Sequence, residues 1–189
     1  LPIARSIEVF NTERKTTDER ITKEALQQIK LNQETQNNSS VVFHPSWHKG
    51  VIGIVASRLI EHYYRPTVVL TKSEDVISGS VRSVSGFDVY NALDACKDSI
   101  IQFGGHKYAA GLTMNLNQLD EFKLAFETYT KNHILPEQRE HSLTYDLDIS
   151  FSDLNFKLLR IINQMSPVGP KICALFLLTT NVRILVEVA

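Results

Sequence analysis

Two rows of apolar side chains run along one side of a predicted helix between residues 50 and 64. The rows consist of Val51, Val55 and Leu59 and, beside them, of Ile52, Ala56 and Ile60. A helical face of this breadth favours burial against a sheet. Short β-prone runs at 41–43 and 67–70 flank the helix, which ends at Pro66. Strand, helix and strand in this order predict an α/β domain.

Four further segments extend this domain along the chain. The patterns predict a strand at 76–81, a helix at 89–101, a strand at 111–114 and a helix around 119–129. We therefore expect a sheet flanked by helices between residues 40 and 135.

The two ends of the chain have different patterns. Apolar residues from Ile3 to Ile29 recur at the helical period, which predicts one long helix or two joined ones. The tract 32–40 is entirely polar, so we assign residues 1–39 to this helical segment and a linker. Residues 143–149 alternate as a half-buried strand does, 154–165 is helical and 175–188 is β-rich. We assign 136–189 to the beginning of a second, truncated β domain.

Composition excludes several classes of protein. The longest apolar run, Ile172–Leu178, has seven residues, whereas a membrane-spanning helix needs roughly 20. Cys96 and Cys173 lie far apart and form no CxxC pair, so neither a disulfide framework nor a zinc site is indicated, and a cytoplasmic location is expected. The net charge is −1, so any contact with nucleic acid must come from a local cluster of positive charge.

The segment Gly104-Gly105-His106 is the sharpest local signal. Paired glycines permit positive φ angles and leave backbone N–H groups free to close around an anion, with His106 as a donor at the rim. The alternative is a glycine turn that leads into a strand beside an incidental histidine.

The segment 79–83 places two hydroxyls and a guanidinium at the end of a predicted strand. Ligands of α/β sheets bind at such strand ends, and Ser80, Arg82 and Ser83 can all donate to phosphate. The alternative interpretation of Arg82 is an exposed arginine without a function.

A few residues give weaker indications of a binding site. His44 and His48 are four residues apart, but Pro45 lies between them and no glutamate follows His44, so they do not match a helical zinc site. Trp47 is the only tryptophan, and its ring either stacks a base or fills an apolar gap before the helix. No aspartate cluster has the spacing of a two-metal centre.

Taken together, these motifs resemble the DHHA1 domain of RecJ-type exonucleases in order and spacing. The matching segments are WHKGVIGIVASRL at 47–59, Arg65-Pro66, GSVRS at 79–83, FGGH at 103–106 and AAG at 109–111. Asn11, Arg14 and Glu24-Ala25 resemble the connecting helix that joins the family's N-terminal DHH domain to DHHA1. The PVGP motif at 167–170, with Phe176, resembles the start of an OB-like domain.

The resemblance implies the substrate-binding part of an enzyme that degrades single-stranded DNA from the 5′ end in repair and recombination. Two divalent ions, Mn²⁺ or Mg²⁺, would be bound by the DHH domain, which this chain lacks, so we expect no metal here and no nuclease activity from the isolated chain. The DHH domain and single-stranded DNA are the expected partners. No membrane is expected to be one.

The same resemblance implies roles for individual residues. Ser80 and Arg82, with Ser83, would bind substrate phosphate, and His106 with the Gly104-Gly105 backbone would meet the scissile phosphate. The helix from Gly50 would form a wall of the DNA channel. Trp47 and His48, which precede it, are further candidate substrate contacts.

Two alternatives remain open. One is a DHH-family phosphodiesterase of short oligonucleotides or cyclic dinucleotides, against which an OB extension argues. The other is a non-catalytic nucleic-acid-binding module, such as the DHHA1-like segment of alanyl-tRNA synthetases. The nuclease hypothesis requires the fold to bring His106 beside Ser80 and Arg82, with the helix at 89–101 as the crossover between them.

Overall fold

A computed structural model describes residues 2–142, 144–166 and 175–180. Its contacts divide the chain into two compact units, Leu1–His141 and Ser142–Ala189. The PVGP motif at 167–170 and Cys173 lie outside the described residues, as do Leu143 and the predicted β segment after residue 180. The domain boundaries that we predict at residues 39 and 135 remain proposals.

The first unit alternates helices with strands, and this α/β architecture confirms the predicted fold class. Its elements are α1 (Pro2–Leu31), β1 (Ser40–Phe43), α2 (Ile52–Tyr63), β2 (Thr67–Ser73), β3 (Val76–Arg82), α3 (Val89–Ala95), β4 (Gln102–His106), β5 (Ala109–Met114) and α4 (Leu119–His133). The helix predicted at 89–101 is shorter than expected, because a 3₁₀ turn at Lys97–Ser99 follows α3.

The five strands form one mixed sheet in the order β1-β2-β3-β5-β4. The strands β1 and β2 are parallel, and α2 makes the crossover that a parallel pair requires. All other neighbours are antiparallel. The strand β5 therefore lies between β3 and β4, although it follows both of them in the sequence.

One face of the sheet is packed by α3 and α4. The fully buried rings of Phe122 and Phe126 from α4 and the side chain of Leu93 from α3 meet Leu70 and Met114 of the sheet. The apolar period of both helices points at this core. Burying a side chain of this size stabilises the fold by roughly 1.5–3 kcal/mol.

The other face is covered by α1 and α2 over β1 and β2. The broad apolar side of α2 packs here on Val42 and Val69, as the sequence predicts. The second half of α1 adds Ile21, Ala25 and Ile29, all fully buried. The helix predicted from residue 3 to 29 is thus a single helix whose second half belongs to the core of this unit.

The paired glycines 104 and 105 do not form the loop that we predicted. They lie inside β4, an edge strand that pairs with β5 from Gln102 to His106. Strand pairing takes up one side of this backbone, which a loop closing on an anion would have left free. The prediction of a loop is therefore wrong, whereas phosphate binding by these glycines stays a prediction.

The described residues of the second unit contain few helices and strands. Its elements are β6 (Leu147–Asp148), α5 (Phe156–Gln164) and β7 (Leu177–Leu178), and the two strands are parallel. The half-buried strand predicted at 143–149 contracts to two residues, both exposed. An OB-like fold for this unit remains a prediction.

Two further expectations can be compared with the described residues. None of the helices described is both long enough and apolar enough to cross a membrane. Cys96 is a free, buried thiol, and burial raises its pKa to about 12. This thiol therefore stays protonated and unreactive at neutral pH.

A hydrogen bond joins α1 to the segment before α2. The indole Nε1 of Trp47 donates to Oε2 of Glu24 at 2.8 Å, and the ring of Trp47 is only 3% exposed. This hydrogen bond is the main cause that lowers the pKa of Glu24 below its ordinary value of 4.5, and Arg20 lowers it further. The ionised carboxylate is thus favoured in the folded chain.

We predict that the emission of Trp47 changes with a midpoint below pH 4.5. A depressed pKa means that the stabilisation is present above the ordinary value and is lost as pH falls through the lowered one. A fluorescence titration measures this, with far-UV circular dichroism to exclude unfolding. Glu24→Gln, which keeps an acceptor but does not titrate, should abolish the transition. A midpoint at or above 4.5 in the unmodified chain would contradict the assignment.

Candidate functional site

Half of one sheet face is left open by the helices. Val69 packs on α2, and its cross-strand partner on β3 is Ser80. Ser80 pairs with Gly111 of β5, which pairs with Gly104 of β4. Directly paired residues of antiparallel strands point to the same face. The face that α2 covers over β1 and β2 therefore continues as an open surface over β3, β5 and β4.

The rows on either side of Ser80 and Gly104 are polar. In one, Arg82 pairs with Ala109, which pairs with His106. In the other, Ser78 pairs with Thr113, which pairs with Gln102. The structure thus places Arg82 and His106 on one face and in one row. Two strand spacings separate their Cα atoms by about 10 Å.

A cleft of about 480 Å³ lies between this open surface and the beginning of α2. Ser80, Gly104 and Gly111 form the middle of its floor, and Lys49 and Gly53 stand at its wall. The helix α2 begins without a side-chain cap. Its first-turn N–H groups therefore add partial positive charge to the wall.

Gly53 allows α2 to approach the sheet closely. A Cβ atom at this position would lie 2.9 Å from Nη2 of Arg82 and 3.0 Å from Oγ of Ser80. Only a residue without a side chain leaves both groups undisturbed. Gly53 therefore determines how near the helix comes to these two phosphate-binding candidates.

Two hydrogen bonds within β3 orient the guanidinium of Arg82. Its Nη1 donates to Oγ of Ser80 at 3.2 Å and to the carbonyl of Val81 at 2.8 Å. Among the described residues, no carboxylate forms a salt bridge with it. The side chain is oriented by neutral acceptors, so its charge is available to an anion.

The adjacent glycines 104 and 105 have different physical roles. Nothing lies within 4 Å of the Cβ position of Gly104, so this residue keeps the floor of the cleft bare. Gly105 has a φ of +150°, and a Cβ there would lie 2.4 Å from the carbonyl oxygen of Ala109. The first glycine leaves space for a ligand, whereas the second is required by the backbone.

His106 ends the outer row on the exposed edge strand. Its Nδ1 accepts a hydrogen bond from the N–H of Tyr108 at 3.4 Å. This contact orients the imidazole and leaves Nε2 as the nitrogen that can meet a ligand.

Of the predicted site residues, Ser80 and Gly104 line the cleft. Arg82 and His106 do not line it but lie on the same open face, in the next row of the sheet. Gly105 does not line it either.

The other three predicted site residues lie away from the cleft. The hydroxyl of Ser83 donates to the carbonyl of Phe87 at 2.8 Å, and this bond shapes the loop after β3. His48 accepts from the N–H of Gly50 at 3.1 Å and lines a separate cleft with residues of α1. Trp47 is buried against α1. The role as an apolar plug therefore fits Trp47, and base stacking does not.

Several residues that line the cleft were not named as site residues in the sequence analysis, although Lys49, Gly53 and Gly111 belong to motifs quoted there. They are Lys49, Gly53, Ser78, Gln102, Gly111 and Thr113. The period-two pattern Ser78, Ser80, Arg82 was a usable signal, since alternate residues of a strand share a face. The contributions of β4 and β5 depend on strand order and have no local signal.

No metal site is apparent in the part of the chain that the structure describes. It contains no group of three His, Cys, Asp or Glu side chains that could hold an ion. The described residues therefore offer no set of ligands that fits a divalent metal.

The fold and the cleft define a class of protein, a mixed-sheet α/β domain with a polar open surface beside a helix N-terminus. Residues 36–132, just over half of the chain, match the DHHA1 domain family. The chain therefore belongs to this family.

The chain is also similar to several longer proteins, in sequence and in structure. The chain is 32% identical to the single-stranded-DNA-specific exonuclease RecJ of Bacillus subtilis, over 88% of this chain and 21% of that protein. Identity to RecJ of Salmonella typhimurium is 27%, over 88% and 30% respectively. The solved structure of RecJ from Thermus thermophilus in complex with Mn²⁺ has a TM-score of 0.75 at 27% identity, covering 87% of this chain and 24% of that one. The chain spans less than a third of these relatives.

The same substitution to alanine at the two glycines should change the unfolding free energy by different amounts. Gly104→Ala meets open space, so we expect its unfolding free energy to stay within about 0.5 kcal/mol of the original chain. Gly105→Ala requires a strained φ and a backbone clash and should cost roughly 1–3 kcal/mol. Urea unfolding followed by circular dichroism compares them. Equal losses in both variants would contradict the assigned roles.

Proposed function

We propose that the cleft binds the phosphate backbone of single-stranded DNA, as the substrate-binding part of a metal-dependent 5′→3′ single-stranded-DNA exonuclease. The observation that carries the proposal is the guanidinium of Arg82, which has no carboxylate partner among the described residues and is held at 3.2 Å from Ser80 beside a floor of glycines. A bare floor admits a backbone, and an oriented fork of N–H donors suits phosphate.

The chemistry of the site follows from the two ends of the outer row. Arg82 and Ser80 would donate to the non-bridging oxygens of one phosphate and hold the strand in register. His106, in the same row, would donate to the scissile phosphate and offset the negative charge that develops there. Positioning and charge stabilisation supply much of the catalysis of phosphoryl transfer.

The proposal includes parts beyond this chain. Solved RecJ structures hold Mn²⁺ or Mg²⁺, and we infer that a DHH domain of the longer protein binds such ions and docks on the open side of the cleft. The activity would serve DNA repair and recombination in the cytoplasm, where a free thiol such as Cys96 remains reduced.

The first test uses the isolated 189-residue chain. We expect it to bind a fluorescent oligothymidylate weakly, with an affinity that falls as salt rises, because few phosphates are contacted. It should release no nucleotides with Mn²⁺ or Mg²⁺. A His106→Ala preparation made in parallel reveals contaminating nucleases. Metal-dependent release by the original chain alone would contradict the proposal.

The second test concerns Arg82 in the full-length protein. Arg82→Ala should lower the affinity for single-stranded DNA about tenfold or more, since a hydrogen bond to a charged group contributes roughly 1.5–3 kcal/mol. Arg82→Lys should restore it only in part, because lysine lacks the planar fork.

The matched control is Lys97→Ala, which removes one positive charge from an exposed position after α3. It should leave binding within about twofold, as expected for a screened surface charge. Thermal melting of both variants should match the unmodified protein. Normal cleavage by Arg82→Ala would contradict the proposed phosphate contact. A melting temperature far below that of the control would assign Arg82 a structural role instead.

A further inference from the structure

The end of the cleft beyond Ser80 and Gly104 is polar and has no assigned role. Ser78 pairs there with Thr113, and Thr113 pairs with Gln102. All three residues line the cleft. By the pairing register they lie on the same face as Ser80 and Arg82.

Ser78 contributes a hydroxyl to this row. The residue is only 7% exposed, and it lines the cleft. A serine hydroxyl can both donate and accept a hydrogen bond, so it can contact a phosphate that enters the cleft.

Lys49 supplies a positive charge at the wall of the same cleft. Thr71, the β2 partner of Ser78, donates through Oγ1 to the carbonyl of Trp47 at 2.6 Å. This bond ties the segment that carries Lys49 to the strand beside Ser78. The Nζ atom of Lys49 lies 3.5 Å from Oγ of Ser73, and no carboxylate of the described residues forms a salt bridge with it.

The two polar rows are spaced along β3. Ser78 and Ser80 are two residues apart on one strand, a distance of about 6.8 Å. One backbone repeat of an extended nucleic-acid strand covers such a distance. A strand whose phosphate lies at Ser80 and Arg82 therefore brings its next phosphate to Ser78.

We propose that Lys49, Ser78, Thr113 and Gln102 form a second phosphate subsite, which binds the neighbouring phosphodiester of the same strand. This proposal rests on the function proposed above and adds the register of the substrate. Lysine ammonium, hydroxyls and an amide N–H₂ are all donors to phosphate. No aromatic side chain lies in this row to stack a base, so the chemistry favours phosphate over nucleobase.

The experiment compares two probes on the 189-residue chain by NMR titration. Thymidine 5′-monophosphate carries one phosphate, and 5′-phosphorylated dithymidylate carries two. The original chain should bind the dinucleotide more tightly. Lys49→Ala and Thr113→Val should each lower the affinity for the dinucleotide about fivefold to tenfold. Both variants should leave that for the mononucleotide within about twofold.

Two controls separate this subsite from the rest of the cleft. Lys72→Ala removes a similar charge from an exposed residue whose partner, Ile77, packs on the opposite face, and it should change neither affinity. Arg82→Ala should weaken both probes, because it removes the first subsite. Circular dichroism verifies that each variant is folded.

The outcomes are distinguishable. Loss of dinucleotide affinity confined to the Lys49 and Thr113 variants supports the second subsite. If the original chain binds both probes and these variants bind the dinucleotide as well as it does, the second subsite is wrong while the proposed function stands. If the Lys72 control loses as much affinity as the Lys49 variant, the effect is general charge and the inference also fails. If the original chain binds neither probe, the proposed function fails and the second subsite with it.

Discussion

A buried arginine organises the first unit. Arg65 is only 5% exposed, and its guanidinium donates to Oγ of Ser40 at 2.7 Å and to the carbonyls of Glu34, Thr35 and Asn37 at 2.6–3.0 Å. Burial lowers the pKa of Arg65, and Glu127 acts in the opposite direction. A guanidinium nevertheless stays charged in proteins. Because a buried charge must be satisfied, the polar linker after α1 has to fold back onto the start of β2.

The contacts of Arg65 hold the end of α1 against the sheet, and contacts between α1 and α2 in turn position α2. Buried Asp18 of α1 lies 3.2 Å from Nη1 of Arg14 and 2.8 Å from Nη2 of Arg58 on α2. The contact with Arg14 is a hydrogen bond, and the contact with Arg58 is an ion pair between the two helices. The same two helices share the apolar cluster around Ile21 and Val55. The position of Gly53 against Arg82 is therefore a consequence of packing far from the cleft.

The local parts of this arrangement could be predicted from the sequence, and the long-range parts could not. The period of α2 and the β-prone runs beside it identify β1, α2 and β2, because side-chain spacing reports burial directly. The insertion of β5 between β3 and β4 depends on pairing between distant segments, which no local pattern encodes. The prediction of a loop at Gly104 and Gly105 was wrong for this reason. Glycine pairs are typical of loops, and only the partner strand β5 reveals them as part of an edge strand.

The candidate site could be predicted to a similar degree. Ser80 and Arg82 could be predicted because they lie at the end of one strand. His106 could be predicted because it adjoins a glycine pair. Trp47 shows the limit of such reasoning. An aromatic residue before a helix is equally suited to a core and to a nucleobase, and only the position of Glu24 on a separate helix decides between them.

The strand β3 explains how one element can serve both stability and binding. Ile77 and Val81 point into the core beneath α3 and α4. Ser78, Ser80 and Arg82 alternate with them on the open face of the sheet, where Ser78 and Ser80 line the cleft. Because alternate residues face opposite sides, the cleft residues can change with little effect on the core. The same alternation on β4 and β5 leaves Gly104 and Gly111 on the open face. The floor of the cleft is open because Gly104 and Gly111 carry no side chains. The register of the sheet places these two glycines side by side on the open face.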